Sequence, residues 1–109
     1  MKRSVPRFAL PVIQELINFF GQAFIDELNS GSYVVSQPER GAWWISRVTG
    51  HYGFWNGEVV SAYYHPTREH TATTVGKLGT KRSYASAGHW AISVQTKAGW
   101  GNKTYYNTL

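Results

Sequence analysis

The 109-residue sequence contains no cysteine. That excludes a disulfide framework and any thiolate metal site, so the folded chain relies on packing and hydrogen bonds alone, on either side of a membrane. Acidic side chains are nearly as scarce, with six in total. Glu15, Asp26 and Glu27 fall in one N-terminal stretch, and Glu39, Glu58 and Glu69 are scattered, so only the fold could assemble a paired-carboxylate site. A Ser/His/Asp triad would have to use Asp26, and no G-x-S-x-G elbow is present. An enzyme is therefore not the expectation. No stretch approaches the ~20 consecutive apolar residues of a membrane-spanning helix. There is no internal repeat and no low-complexity segment, and the length suits one domain with one modest core.

What the chain does have is positive charge and aromatic rings in the same place. Residues 1–39 carry three basic and four acidic side chains; residues 40–109 carry eight basic and two acidic, a net +6 for that part against +5 overall. All five tryptophans, Trp43, Trp44, Trp55, Trp90 and Trp100, lie in the basic part. Such a field favours anionic partners without choosing among nucleic acid, anionic headgroups, a pyrophosphate or acidic wall polymers. Basic residues interleaved with aromatics also describe a stacking platform for single strands, but the Lys/Arg are dispersed and no basic helix or RNP-like signature occurs. Nucleic acid is accordingly not the expected partner. The plainest role for the rings is the core and cross-strand pairs of a small β domain.

The pattern divides the chain at residue 40, into an N-terminal helical segment with linker (1–40) and a β domain (41–109). Val12, Leu16, Phe19, Phe20, Ala23, Phe24 and Leu28 recur at three- and four-residue spacing, Pro11 suits a first turn, and Asn29-Ser30-Gly31 is a stop. This predicts one amphipathic helix over Pro11 to Leu28. Packing on its own domain is the simplest use for it; a partner helix, an interfacial helix and a leader are the others. The Met1-Lys2-Arg3 start invites a signal-peptide reading, against which stand Pro11, Gln14, Glu15 and the lack of a small-residue cleavage site.

Beyond a linker or short strand over 32–40, the period becomes two. Strands are predicted over Trp43–Val48, Phe54–Trp55, Val59–Tyr64, Thr71–Val75, Arg82–Ala85, Trp90–Thr96 and Thr104–Asn107, with glycines between them. Trp90, Ile92 and Val94 alternate with His89, Ala91, Ser93 and Gln95, which predicts one apolar inward face and one polar face. The last two strands, joined by Lys97 to Asn102, are expected to form a hairpin. The fold class expected is mainly β: an antiparallel β-sandwich of short strands preceded by one amphipathic helix. Exposed sandwich edges lead to the expectation of a homodimer.

Four histidines raise the question of a metal. His65 and His70 are five apart, which matches neither one helical face nor one strand face, so a hydrogen-bonded turn is expected and neither a metal nor another cofactor. The same region carries a resemblance. Tyr63-Tyr64-His65-Pro66-Thr67-Arg68-Glu69-His70-Thr71-Ala72-Thr73, with Gly57 to Ala62 before it, Ala87-Gly88-His89-Trp90-Ala91 after it and Gly101-Asn102-Lys103-Thr104-Tyr105-Tyr106-Asn107 at the end, resembles the lactococcin 972 family of bacteriocins over Gly41 to Leu109. The resemblance implies a secreted, non-enzymatic antibacterial protein that binds the wall precursor lipid II and stops septum synthesis in Gram-positive cells. It also implies dedicated immunity and export proteins in the producer. For such a ligand, Lys81, Arg82 and Arg68 are the candidates for the pyrophosphate and Trp55, Tyr63, Tyr64 and Trp90 for the sugars, with His65 and His70 beside them. The alternative is a binding module for single-stranded nucleic acid or polysaccharide on the same surface.

Overall fold

The computed structural model describes residues 10–49 and 57–109. Two short helices come first, α1 (Ile13–Phe20) and α2 (Phe24–Asn29). Seven strands follow: β1 (Val34–Ser36), β2 (Trp43–Val48), β3 (Glu58–His65), β4 (His70–Gly76), β5 (Gly79–Ala85), β6 (His89–Thr96) and β7 (Lys103–Thr108). They form a four-stranded sheet of order β1-β2-β3-β6 and a three-stranded sheet of order β5-β4-β7, antiparallel throughout. The fold class is thus the mainly β sandwich with an N-terminal helical element.

Several boundaries differ from the sequence expectation. The single helix is two, because Gly21 adopts φ 92° and its N–H closes on the Ile17 carbonyl at 2.8 Å, ending α1 where a side-chain-bearing residue would be strained. β1 belongs to the larger sheet although it precedes residue 40. The expected strand over Phe54–Trp55 lies outside the described residues. The expected hairpin of the last two strands is not formed: β6 pairs with β3, and β7 pairs with β4 in the other sheet. The connection explains this. Lys97 N–H bonds to Gly57 O at 2.8 Å, which ties the end of β6 to β3, and the Asn102 amide closes on both Ala98 backbone groups at 2.7 and 2.9 Å. The chain then leaves for the second sheet.

The two faces of the larger sheet reverse the simplest reading of β6. Ser61 and Tyr63 of β3 and Ala91, Ser93 and Gln95 of β6 face the small sheet, and they are buried. The polar side of β6 is therefore an inter-sheet layer, not a solvent face. Its groups are joined across the sandwich. Thr74 and Ser93 hydroxyls meet at 2.9 Å, and Ser93 donates to Lys81 O at 2.8 Å. Trp44 Nε1 donates to Ser61 Oγ at 3.0 Å, which donates onward to Tyr105 O at 2.9 Å. Gln95 Nε2 donates to Gly79 O at 2.8 Å and its Oε1 accepts from Leu78 N at 2.8 Å. A Cβ on Gly76 would lie 2.8 Å from Thr96 O and 2.9 Å from Gln95 Oε1, so that approach is open to glycine alone.

The apolar side of the larger sheet turns the other way. Ile45, Val60, Ala62, Tyr64 and Trp90 pack under Leu10, Leu16, Phe24, Ile25, Leu28 and Tyr33 of the N-terminal segment, forming the main hydrophobic core. Phe20 stacks on Phe24 with centroids 5.4 Å apart, and Phe24 meets Tyr33 edge-on at 5.3 Å. The rim is polar. Glu15 of α1 accepts from Trp90 N at 2.9 Å and pairs with His89 Nδ1 at 2.7 Å, while Trp90 Nε1 donates to Pro11 O at 2.7 Å. On the opposite side Arg47 lies 4.1 Å over the Tyr33 ring and 3.4 Å from Glu27.

Two predictions follow from these layers. Gln95→Ala removes the partner of the Leu78 N–H and of the Gly79 and Thr74 carbonyls, only the last of these bonds being fully buried, and is expected to cost about 2 kcal/mol in denaturant unfolding. The second concerns Tyr33, whose hydroxyl has no hydrogen-bond partner among the described residues. Burial pushes its phenol up to about 12, against the lowering influence of Arg47. The unfolded chain releases this proton first, near pH 10, so its contribution to stability is complete below pH 10 and is lost as pH rises toward 12. Tyr33→Phe is expected to flatten the decline of stability over that alkaline range, as measured by unfolding at stepped pH.

Candidate functional site

The run that carries the resemblance is a junction between the sheets. β3 ends at His65 in the larger sheet and β4 begins at His70 in the smaller one, so residues 66–69 are the crossing. His65 Nδ1 accepts from Thr67 N and Arg68 N, both at 3.2 Å, and its Nε2 donates to Glu39 Oε1 at 2.8 Å. That is the arrangement of a neutral ring with its proton on Nε2. His70 is fully buried, with Nδ1 facing Arg68 O and Nε2 facing His89 O, each at 2.8 Å. The two rings lie 6.2 Å apart, and every ring nitrogen is turned to a protein group. No cluster of three or more metal-ligating side chains occurs among the described residues.

The aromatic candidates occupy the interior. Tyr63 is fully buried between the sheets, edge-on to His70 at 5.4 Å and against Tyr106 at 4.8 Å, with its hydroxyl 2.7 Å from Thr108 Oγ1. Burial raises its phenol above the ordinary range, and the Thr108 hydrogen bond opposes that. Tyr64 and Trp90 are a cross-strand pair 5.6 Å apart beneath the helices. In this fold these rings, with His65 and His70, are packing and turn-forming groups with no face open to a sugar. Trp55 lies outside the described residues.

The cationic candidates separate. Lys81 and Arg82 are consecutive on β5 and so project to opposite faces of the small sheet. Lys81 reaches along the sandwich edge to Val94 O at 3.0 Å. Arg68 donates to Leu109 O from Nε at 2.9 Å. Arg82 alone of the three stands on the outer face of the small sheet, in an open groove of about 520 Å³.

That groove is built by strand parity. β4 supplies Thr71, Thr73 and Val75 as its floor; β5 supplies Thr80, Arg82 and Tyr84; β7 supplies Tyr105 and Asn107. In register, Arg82, Thr73 and Tyr105 form one row across the three strands, and Tyr84, Thr71 and Asn107 form the next. Tyr84 and Tyr105 thus stand diagonally on either side of β4, with strand spacing and the two-residue offset placing their backbones about 12 Å apart. They are 68% and 50% exposed, so both rings offer faces to a ligand. Arg82 Nε donates to Thr73 Oγ1 at 3.4 Å, which anchors the stem and leaves its terminal NH groups unpaired among the described residues. A guanidinium in the same row as one tyrosine and next to another along its strand, over a hydroxyl floor, can hold an anionic group in a fork of N–H donors and a ring on a flat face.

Sequence reasoning included Arg82 and missed Tyr84, Tyr105, Thr73 and Asn107. The alternation Thr80, Arg82, Tyr84 is visible in the sequence. What hides the groove is the partnering of β7 with β4, since a β6–β7 hairpin would place Tyr105 elsewhere.

No curated protein and no solved structure matches the chain. A family model described as Bacteriocin (Lactococcin_972) matches residues 49–106, which takes in the sheet junction, both buried histidines, β4, β5 and the first four residues of β7. The match covers more than half of the chain, and the chain belongs to the Lactococcin_972 family of antibacterial bacteriocins.

Proposed function

We propose that this bacteriocin works outside the cell, without catalysis, by holding the wall precursor lipid II and so blocking septum synthesis. The observation that carries this reading is the outer groove of the small sheet, lined by Arg82, Tyr84 and Tyr105. Lipid II presents a pyrophosphate next to two sugar rings. A guanidinium takes the first by paired N–H donors, and tyrosine faces take the second by stacking. The net +6 of residues 40–109 draws such an anion toward the sandwich. Arg68 and Lys81 contribute to that field from the edges. The buried Tyr63, Tyr64, His65, His70 and Trp90 serve by fixing the register that places the groove residues.

The parity of β5 makes the test specific. Arg82→Ala is expected to reduce killing of a sensitive Gram-positive strain about tenfold or more, consistent with loss of one charge-assisted contact, while neighbouring Lys81→Ala keeps most of the activity. Lipid II added to the medium is expected to protect the cells. Absence of protection, or equal losses from the two substitutions, rejects the groove as the site.

A further inference from the structure

The segment over residues 10–32 differs from the sandwich it covers in charge and in the quality of its docking. It holds Glu15, Asp26 and Glu27 and no lysine or arginine, against eight basic and two acidic residues over 40–109. Its attachment carries unrelieved costs. Val12, which precedes α1, sits at φ 47° and ψ 44°, a left-handed conformation that is a true outlier for a β-branched residue, and α1 has no side-chain cap. Tyr33 Oη and Arg47 Nε are buried at this interface without partners among the described residues. Against these stand the apolar contacts and the rim bonds of Glu15 and Pro11 to the start of β6.

We propose that residues 10–32 are a displaceable cover, and that the sheet face beneath them docks on an anionic lipid bilayer. That face has aliphatic Ile45, Val60 and Ile92 with Trp43, Tyr64 and Trp90 around them, the composition of a surface that sits at a membrane interface. It is too large an apolar area to stand open to water, so uncovering requires an occupant. Charge selects which one. The present cover is acidic, and Arg47 on this face is held by Glu27 at 3.4 Å; a phosphate headgroup replaces that carboxylate and reaches the unpartnered Nε. A second copy would instead set Arg47 near its own counterpart and one +6 sandwich against another. The inference goes beyond the groove reading, because it uses the opposite face of the molecule.

The experiment uses the full chain and two substitutions with opposite expected effects. Sedimentation is measured with vesicles of phosphatidylglycerol and phosphatidylcholine, and with phosphatidylcholine alone. Glu15→Ala removes two of the three rim bonds, raises the open fraction and is expected to lower the apparent Kd for the anionic vesicles about tenfold. Val12→Gly relieves the left-handed strain at a site 41% exposed, steadies the cover and is expected to raise that Kd about fivefold. An unfolded variant would expose more apolar surface, so weaker binding by Val12→Gly cannot arise from misfolding. Thermal unfolding confirms that Glu15→Ala is folded. Equal affinities for all three proteins, binding indifferent to phosphatidylglycerol, or dimerisation of Glu15→Ala without lipid each overturns the proposal.

Discussion

The layer of hydroxyls and amides between the two sheets governs the rest of this structure. Most sandwiches put their apolar side chains there and their polar ones outside. Here Ser61, Thr74, Ser93 and Gln95 occupy the middle and bond from sheet to sheet, with Tyr63, Trp44, Tyr106 and the small residues Ala42, Ala72 and Ala91 packed beside them. Small neutral groups allow close approach, and each one is satisfied, which is the condition under which a buried polar layer specifies a single register. The consequence is that the apolar parity of β3 and β6 must face outward from the sandwich. Something must cover it, and the N-terminal helices do.

The same layer explains what the recognisable motif is for. The first of three crossings between sheets among the described residues is at 66–69, and the backbone of this tight turn must find partners outside the ladders. His65 receives two N–H groups of the turn, and His70 faces the Arg68 and His89 carbonyls. Two imidazoles thereby do for this corner what ladder bonds do for the strands. The same run continues into β4, where Thr71 and Thr73 lie on the floor of the outer groove.

Strand positions were legible because period-two alternation and glycine punctuation are local signals; Trp43–Val48 coincides with β2, and the other described strands differ by a few residues at their ends. Layer assignment was not legible. Alternation divides a strand into two faces without saying what covers each, and the Ser93 and Gln95 side of β6 looks like a wet face until its partners in β4 and β5 are known. Pairing across sequence distance was the other hidden quantity. Nothing in Lys97 to Asn102 announces that Asn102 closes on Ala98 and sends β7 to β4. The candidate site suffered from both: Arg82 was visible as a cation, but Lys81 beside it seemed equivalent, and Tyr105 had no known neighbour.

The basic surface is itself a product of this interior. A layer satisfied by neutral donors and acceptors has no place for a cation, whose burial without a partner is far costlier than that of an amide. Lys81, although its Cβ points toward the larger sheet, extends its ammonium to the edge and ends on Val94 O. Arg68 turns outward to Leu109 O, and Arg82 sits on the open face. Among the described cations, Arg47 is the one largely enclosed, and it lies on the helix side with Glu27 and the Tyr33 ring as company. Charge is thus expelled to the periphery of the sandwich, while three of the six carboxylates reside on the helical cover. The separation of charge between cover and sandwich thus goes with the division of the larger sheet, which turns neutral polar groups inward, an apolar face toward the helices and its cations to the rim.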